Sequence, residues 1–175
     1  MARNLKKQNT IEAPCNCVPW LLTLLRIGMG WIFLWPFLDK LFGLGFSTTP
    51  ENAWLNGGSP TTGFLTHATK GPFASFFQAL AGLPVIDIIF MIGLLFIGVS
   101  LISGIFTRLA AYAGSLMLFL MWLAVLPPEH NPFLDDHLIY PLILLLLSGL
   151  QAGRFFGLGH WWESQKLVKK YRFLA

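Results

Sequence analysis

Apolar residues fill four long stretches of the chain, at 20–42, 84–106, 109–126 and 132–153, with polar and turn-forming residues gathered between them. Each stretch is close to the length of about 20 residues that a helix needs to cross a bilayer. The fourth has the clearest boundaries. Asn131-Pro132 opens it, because Asn caps a helix and Pro fits the first helical position, where its missing N–H would be unpaired anyway. Asp135, Asp136 and His137 fall in its first turns, where carboxylates complement the positive end of the helix dipole. Gly149 and Gly153 give it a G-x-x-x-G face for close backbone approach, and Arg154 ends it. Residues 132–153 as one helix would rise about 33 Å, the thickness of a bilayer core.

The other stretches carry their own marks. Arg26 lies inside the first, and two readings stand for it: a long side chain snorkelling to the interface, or a charge paired inside the bundle. Asp39-Lys40 closes that stretch. Asp87 sits in the first turn of the second, and Ser100 and Gly104 give it a small-x-x-x-small pattern. Ala110/Gly114 and Ala111/Ser115 do the same for the third. Between the first two stretches, the insert at 44–84 is too long for a structureless loop, and two short helices are expected in it. One starts at Thr49-Pro50-Glu51. The other starts at Gly71-Pro72 and bears an apolar stripe of Phe73, Phe76, Phe77 and Leu80. His67, between them, reads either as a solvated loop histidine or as a ligand. Residues 155–175 mix Trp161, Trp162 and Leu167 with Lys166, Lys169, Lys170 and Arg172, the pattern of a basic amphipathic helix lying on an anionic surface.

Composition makes the membrane reading firmer. The chain has 175 residues, 55% hydrophobic and 11% charged, where soluble domains carry about 25% charged residues. No basic stripe on a polar scaffold suggests nucleic acid. Residues 1–19 are a polar lead-in rather than a signal peptide. Its Cys15-Asn16-Cys17 pair could bind a metal or switch redox state, but it supplies only two ligands with no partner pair nearby, and incidental cysteines are the other reading. With four spans, nine basic residues fall on the side of the termini (Arg3, Lys6, Lys7, Arg108, Arg154, Lys166, Lys169, Lys170 and Arg172). Lys40 and Lys70 fall on the other. The positive-inside rule then places both termini in the cytoplasm and the protein in the plasma membrane.

Topology also groups the chemistry. Asp39, Lys40, Asp87, Asp135, Asp136 and His137 come from three spans and would share the outer end of an up-down bundle, under the 44–84 insert. Pro141 cannot donate to the carbonyl of His137, so that acceptor is left free nearby. A site with His137, a carboxylate, Lys40 and Tyr140, walled by aromatic rings, suits a quinone: the rings hold the head group, and His137 or Asp136 exchanges protons with its oxygens. Asp136 is the residue expected to fix the imidazole tautomer. Each acid also has a plain structural reading as a helix-end residue. The chain has no C-x-x-C relay, no C-x-x-C-H haem motif, no phosphate loop and no dinucleotide fingerprint.

These residues resemble the DoxX/DoxD family. Leu25-Arg26-Ile27-Gly28 and Asp39-Lys40-Leu41-Phe42-Gly43 resemble its first helix. The stretch Trp54-Leu55-Asn56-Gly57-Gly58-Ser59-Pro60-Thr61, with Gly71-Pro72-Phe73 and Phe76-Phe77, resembles the outer insert of its DoxD-like branch. Asn131-Pro132-Phe133-Leu134-Asp135-Asp136-His137 and Ala152-Gly153-Arg154 resemble its fourth helix. The similarity runs over residues 20–163 and implies a four-helix membrane protein. In that branch the protein is the membrane subunit of a thiosulfate:quinone oxidoreductase, joined by a second subunit. By resemblance Arg26, Lys40, Asp136 and His137 are matched positions.

The expectation is therefore an all-α integral membrane protein. It has a polar N-terminal segment (1–19), a four-span up-down bundle (20–154) with a long outer insert (44–84), and a basic interfacial tail (155–175). Its expected function is to pass electrons from a sulfur compound to a membrane quinone. Asp136, His137 and Lys40 are the expected catalytic residues. His137, Tyr140, Arg26, Asp39 and Asp87 are expected around the quinone. No bound metal or haem is expected. The expected partners are lipid, quinone and a second subunit. The alternative is a non-catalytic subunit of a larger respiratory or photosynthetic membrane complex. A small transporter is a third class, with Arg26 and Asp87 lining the pathway.

Overall fold

The structure, a computed structural model, describes residues 17–128, 131, 133–171 and 173. Arg3, Lys6, Lys7 and Cys15 of the lead-in lie outside them, as do Glu129, His130, Pro132, Arg172 and Leu174. Among the described residues every regular element is helical. Helix α1 is Val18–Phe42, with Pro19 in its first turn. It stops at Gly43, whose φ of 66° suits a residue without a Cβ and whose N–H closes onto the Asp39 carbonyl at 2.8 Å. The insert holds single helical turns and one short helix, α2 (Ala74–Gln78). Helix α3 is Pro84–Ser103, opened by its proline. Helix α4 is Thr107–Ala124 and helix α5 is Asp136–Gly149. The tail forms α6 (Gly159–Ser164) and α7 (Lys166–Lys170). Helices α1, α3 and α4 are long and apolar enough to cross a membrane.

The fourth stretch is shorter than its pattern suggests. Helix α5 has 14 residues, a rise of about 21 Å, not the 22 residues expected. Two local choices account for this. Asn131 spends its side chain on the N–H groups of Phe133 and Leu134, closing a separate turn, and Asp135 takes over as the helix cap. At the other end Gln151 adopts a left-handed conformation (φ 52°), so Gly153 falls in a separate turn, Ala152–Arg154. Gly149 and Gly153 therefore share no helical face. A Cβ added at Gly149 would meet open space, while Gly153 packs on Gly104.

Close approach happens elsewhere. Helices α1 and α3 touch at Gly30 and Gly98: a Cβ on Gly30 would lie 3.0 Å from the Gly98 carbonyl oxygen, and one on Gly98 would lie 2.9 Å from the Leu34 nitrogen. Helices α4 and α5 meet at Gly114, beside Leu144, and at Ser115, whose hydroxyl donates to the Pro141 carbonyl at 3.3 Å. Ala110, Ala111 and Gly114 are buried, as their spacing predicts. Met29, Phe33, Met91, Ile97, Leu101 and Leu144 fill the core between the long helices. The aromatic stripe of the insert divides. Phe77 is buried with Leu65 and Ala124 and has Leu80 against it, whereas Phe73 and Phe76 are exposed, because α2 spans little more than one turn.

Arg26 holds the tail end together. It is fully buried, and among the described residues no carboxylate pairs with it. One Nη donates to the carbonyls of Leu101 and Ile102, and the other reaches those of Phe155 and Phe156 at 3.5 and 3.4 Å. The end of a helix leaves four carbonyls without intrahelical partners. For α3 all four are answered: Ser100 by the Gly104 N–H, Leu101 and Ile102 by Arg26, and Ser103 by the Leu158 N–H. Arg26 thus points into the body instead of out to an interface, and among the described residues it forms no ion pair. It caps α3 from α1 and ties down the chain after α5.

Replacing Arg26 with Leu leaves the Leu101 and Ile102 carbonyls buried and unpaired, at about 1–3 kcal/mol each. The Arg26→Leu protein is expected to melt well below the parent in detergent. Arg26→Lys should recover only part of the loss, since one ammonium cannot span both α3 and residues 155–156. A melting temperature unchanged in Arg26→Leu would contradict this account.

Candidate functional site

At the end opposite Arg26, the end of α1, the start of α3, the end of α4 and the start of α5 meet the insert. A cavity of about 670 Å³ opens there, between the insert turn at 63–70 and the chain that leads from α4 into α5. Its polar lining comes from His67 and Lys70 of the insert and from Asn131, Asp135, Asp136 and His137. Gly63, Ala68, Val125 and Leu134 supply apolar wall.

Its central feature follows from how α5 starts. Asp135 is the cap, so its side chain folds back over the first turn. One carboxylate oxygen accepts the His137 backbone N–H at 3.1 Å, and the other faces His137 Nδ1 at 2.8 Å. An ionised carboxylate only accepts, so Nδ1 carries the proton of the neutral ring and Nε2 is left as the basic atom. Both side chains are partly exposed, at 27% for His137 and 21% for Asp135. The partner of His137 is therefore Asp135, and the expected pairing with Asp136 does not form. Asp136 is the first helical residue. It lines the cavity and is exposed.

The insert wall is pinned beside this pair. The Lys70 N–H donates to the Ala124 carbonyl at the end of α4, at 2.9 Å. Gly71 follows with φ 67°, pressed so closely on the Leu126 carbonyl that no side chain fits there. Leu65 is buried under the turn Phe64–Ala68, so that turn is seated on the body while His67 stays exposed.

Two of the expected site acids secure the insert instead of lining the cavity. Asp87 is buried at the start of α3. One of its oxygens accepts from the Ser59 hydroxyl at 2.9 Å, the Thr61 N–H at 3.1 Å and the Thr61 hydroxyl at 2.6 Å. Asp39 is 1% exposed at the end of α1. It accepts from the N–H groups of Phe46 and Ser47, at 3.2 and 2.9 Å, and from the Ser47 hydroxyl at 2.7 Å. Lys40 is half-buried next to Asp39, outside the cavity lining. Tyr140 packs against the core, one turn into α5. Arg26 is at the far end of the molecule. Of the expected site residues, the cavity brings together Asp136 and His137. It adds Asp135 as the partner of His137, together with His67 and Lys70.

The arrangement provides a basic nitrogen oriented by a carboxylate, a nearby lysine and histidine, and a pocket with apolar wall. It suits exchange of protons with a polar head group. Among the described residues no three His, Cys, Asp or Glu side chains stand close enough to hold a metal ion.

Compared with family models, with curated proteins and with solved structures, the chain matches none.

Asp87→Ala removes the acceptor shared by Ser59 and Thr61. Losing a buried hydrogen-bond partner costs about 1–3 kcal/mol, which corresponds to about a 5- to 150-fold rise in amide exchange. Hydrogen exchange read by mass spectrometry should show that rise across residues 59–70, with α4 and α5 still protected. Unchanged exchange in that segment would show that Asp87 does not hold the insert.

Proposed function

We propose that the chain is a four-span membrane protein of the DoxX/DoxD type with both termini in the cytoplasm. In this reading it is the quinone-reactive subunit of a sulfur-compound oxidoreductase. The four-span topology draws on the packing of α5 against α4, with the flanking residues 133–135 and 150–154 completing the short helix across the bilayer. The orientation draws on the charge count, nine basic residues on the side of the termini against two on the side of the insert. The observation that carries the functional reading is the Asp135–His137 pair on the wall of the cavity.

The chemistry balances as follows. Two thiosulfate dianions lose one electron each as the sulfur–sulfur bond of tetrathionate forms. The quinone gains those two electrons and two protons to become quinol. His137 Nε2 takes up each proton from water and passes it to a quinone oxygen, while Asp135 orients the ring and stabilises its protonated form. Lys70 and His67, which line the cavity, replace Lys40 as the contacts for the anionic donor. A second subunit covers the open side and brings further positive charge, since Asp135 and Asp136 share the same wall.

In membranes that contain the protein and its partner, His137→Ala should lower thiosulfate-driven quinone reduction by about 10²- to 10⁴-fold, the usual contribution of a general acid–base group. Asp135→Asn keeps the cap but not the charge and should give a smaller loss, while Lys40→Gln should be close to the parent. A non-catalytic role in a larger complex predicts the reverse for His137→Ala: normal assembly and normal turnover of that complex.

A further inference from the structure

The tail sets cationic and apolar side chains side by side, and the fold holds them in that arrangement. The Leu158 N–H is bonded to Ser103 at 2.9 Å, the Trp162 ring lies 4.3 Å from Phe106, and Trp20 stacks on Phe156 with centroids 3.8 Å apart. Helix α7 is seated by Val168, which is 2% exposed. Lys166, Lys169 and Lys170 are spaced i, i+3, i+4 and so share the face opposite Val168, and all three are exposed. Leu167 lies between them in sequence, and Leu167, Trp161 of α6 and Trp20, stacked on Phe156, are each 57% exposed. Arg154 does not add to this charge. Its guanidinium holds Glu163 through Nε at 2.9 and 2.8 Å.

We infer that this surface binds the head groups of anionic phospholipids in the leaflet at the tail end. Lys166, Lys169 and Lys170 meet the phosphates, and Trp20, Trp161 and Leu167 enter the boundary between head groups and acyl chains. The inference rests on the proposal that the long helices cross a bilayer, and it is independent of the reaction proposed for the other end. Two requirements identify the occupant. Water leaves the tryptophans and leucine exposed, and hydrocarbon leaves the ammonium groups unsolvated. An anionic lipid interface satisfies both within one surface. Neutral lipid answers the rings alone, and free phosphate answers the lysines alone. Each lysine near an anionic membrane surface favours binding by about fivefold, so three together favour it by on the order of a hundredfold.

The test uses the full chain in micelles holding equal amounts of phosphatidylglycerol and phosphatidylcholine, with retained lipid counted by native mass spectrometry. The expected result is a preference for phosphatidylglycerol on the order of a hundredfold that weakens as salt is raised. The triple variant K166Q/K169Q/K170Q should keep its melting temperature in phosphatidylcholine and lose most of the preference. K166R/K169R/K170R should retain it, and so should K70Q, at the other end. The inference is overturned if the parent shows no preference, if the preference ignores salt, or if the glutamine variant keeps it. It is equally overturned if K70Q abolishes the preference or if inorganic phosphate displaces the lipid. Loss of quinone reduction in the His137 variant leaves this result unchanged, so the two proposals fail separately.

Discussion

A helix that ends in apolar surroundings must find donors for its last carbonyls, and in this chain Arg26 supplies them. The tail end is built to satisfy that constraint. Arg26 projects from α1, caps α3 and reaches the backbone of residues 155–156, so one side chain links three separate parts of the chain. Room for it comes from glycine. A Cβ on Gly104 would lie 3.1 Å from one guanidinium nitrogen, and one on Gly157 would lie 3.0 Å from the other. Among the described residues the buried Nε of the same guanidinium finds no partner. That defect is tolerable because the four Nη contacts offset it, and because a buried unpaired N–H costs less than two unpaired carbonyls at a helix end.

The insert end solves a different problem, attaching about forty residues of irregular chain to the ends of the long helices. Asp39 and Asp87 do this from inside the body, each gathering two N–H or hydroxyl donors or more from one arm of the insert. A carboxylate suits the task because it accepts several bonds at once and needs no donor of its own in return. Both acids are committed to backbone and hydroxyl donors. Among the described residues the acids on the cavity wall are Asp135 and Asp136, at the start of α5.

Sequence pattern places α1, α3 and α4 to within three residues at each end; Pro84 opens α3 and Gly43 stops α1, while Gly104, read as part of a packing face, ends α3. It fails at α5 because Asn131 and Asp135 are both good caps, and an apolar count cannot say which one starts the helix. The structure chooses Asp135, and His137 changes partner as a result. The signal was present as Asp-x-His, a cap whose second oxygen can reach a ring two residues on. The misplacement of Lys40 has another origin. Helix-end position put it among the site residues, but lining depends on where the insert turns back. That is decided by the bond from the Lys70 N–H to Ala124 and by the glycine that follows. Such long-range contacts leave no trace in local spacing.

The late start of α5 also explains why a cavity exists. Phe33, Ile97 and Leu144 all meet at Gly114, so they mark one level of the packed helices. From that level α3 continues for thirteen residues to Pro84, about 20 Å. Helix α5 continues for only eight residues to Asp136, about 12 Å. Its first turn is therefore recessed by about 8 Å beneath the start of α3, and the insert, held at the higher level by Asp87, spans the gap. Had Asn131 been the cap, four more residues, about 6 Å, would have brought α5 closer to the level of α3 and closed much of the space. The choice of Asp135 over Asn131 as the cap thus does two things at once: it orients His137, and it leaves room for something to meet it.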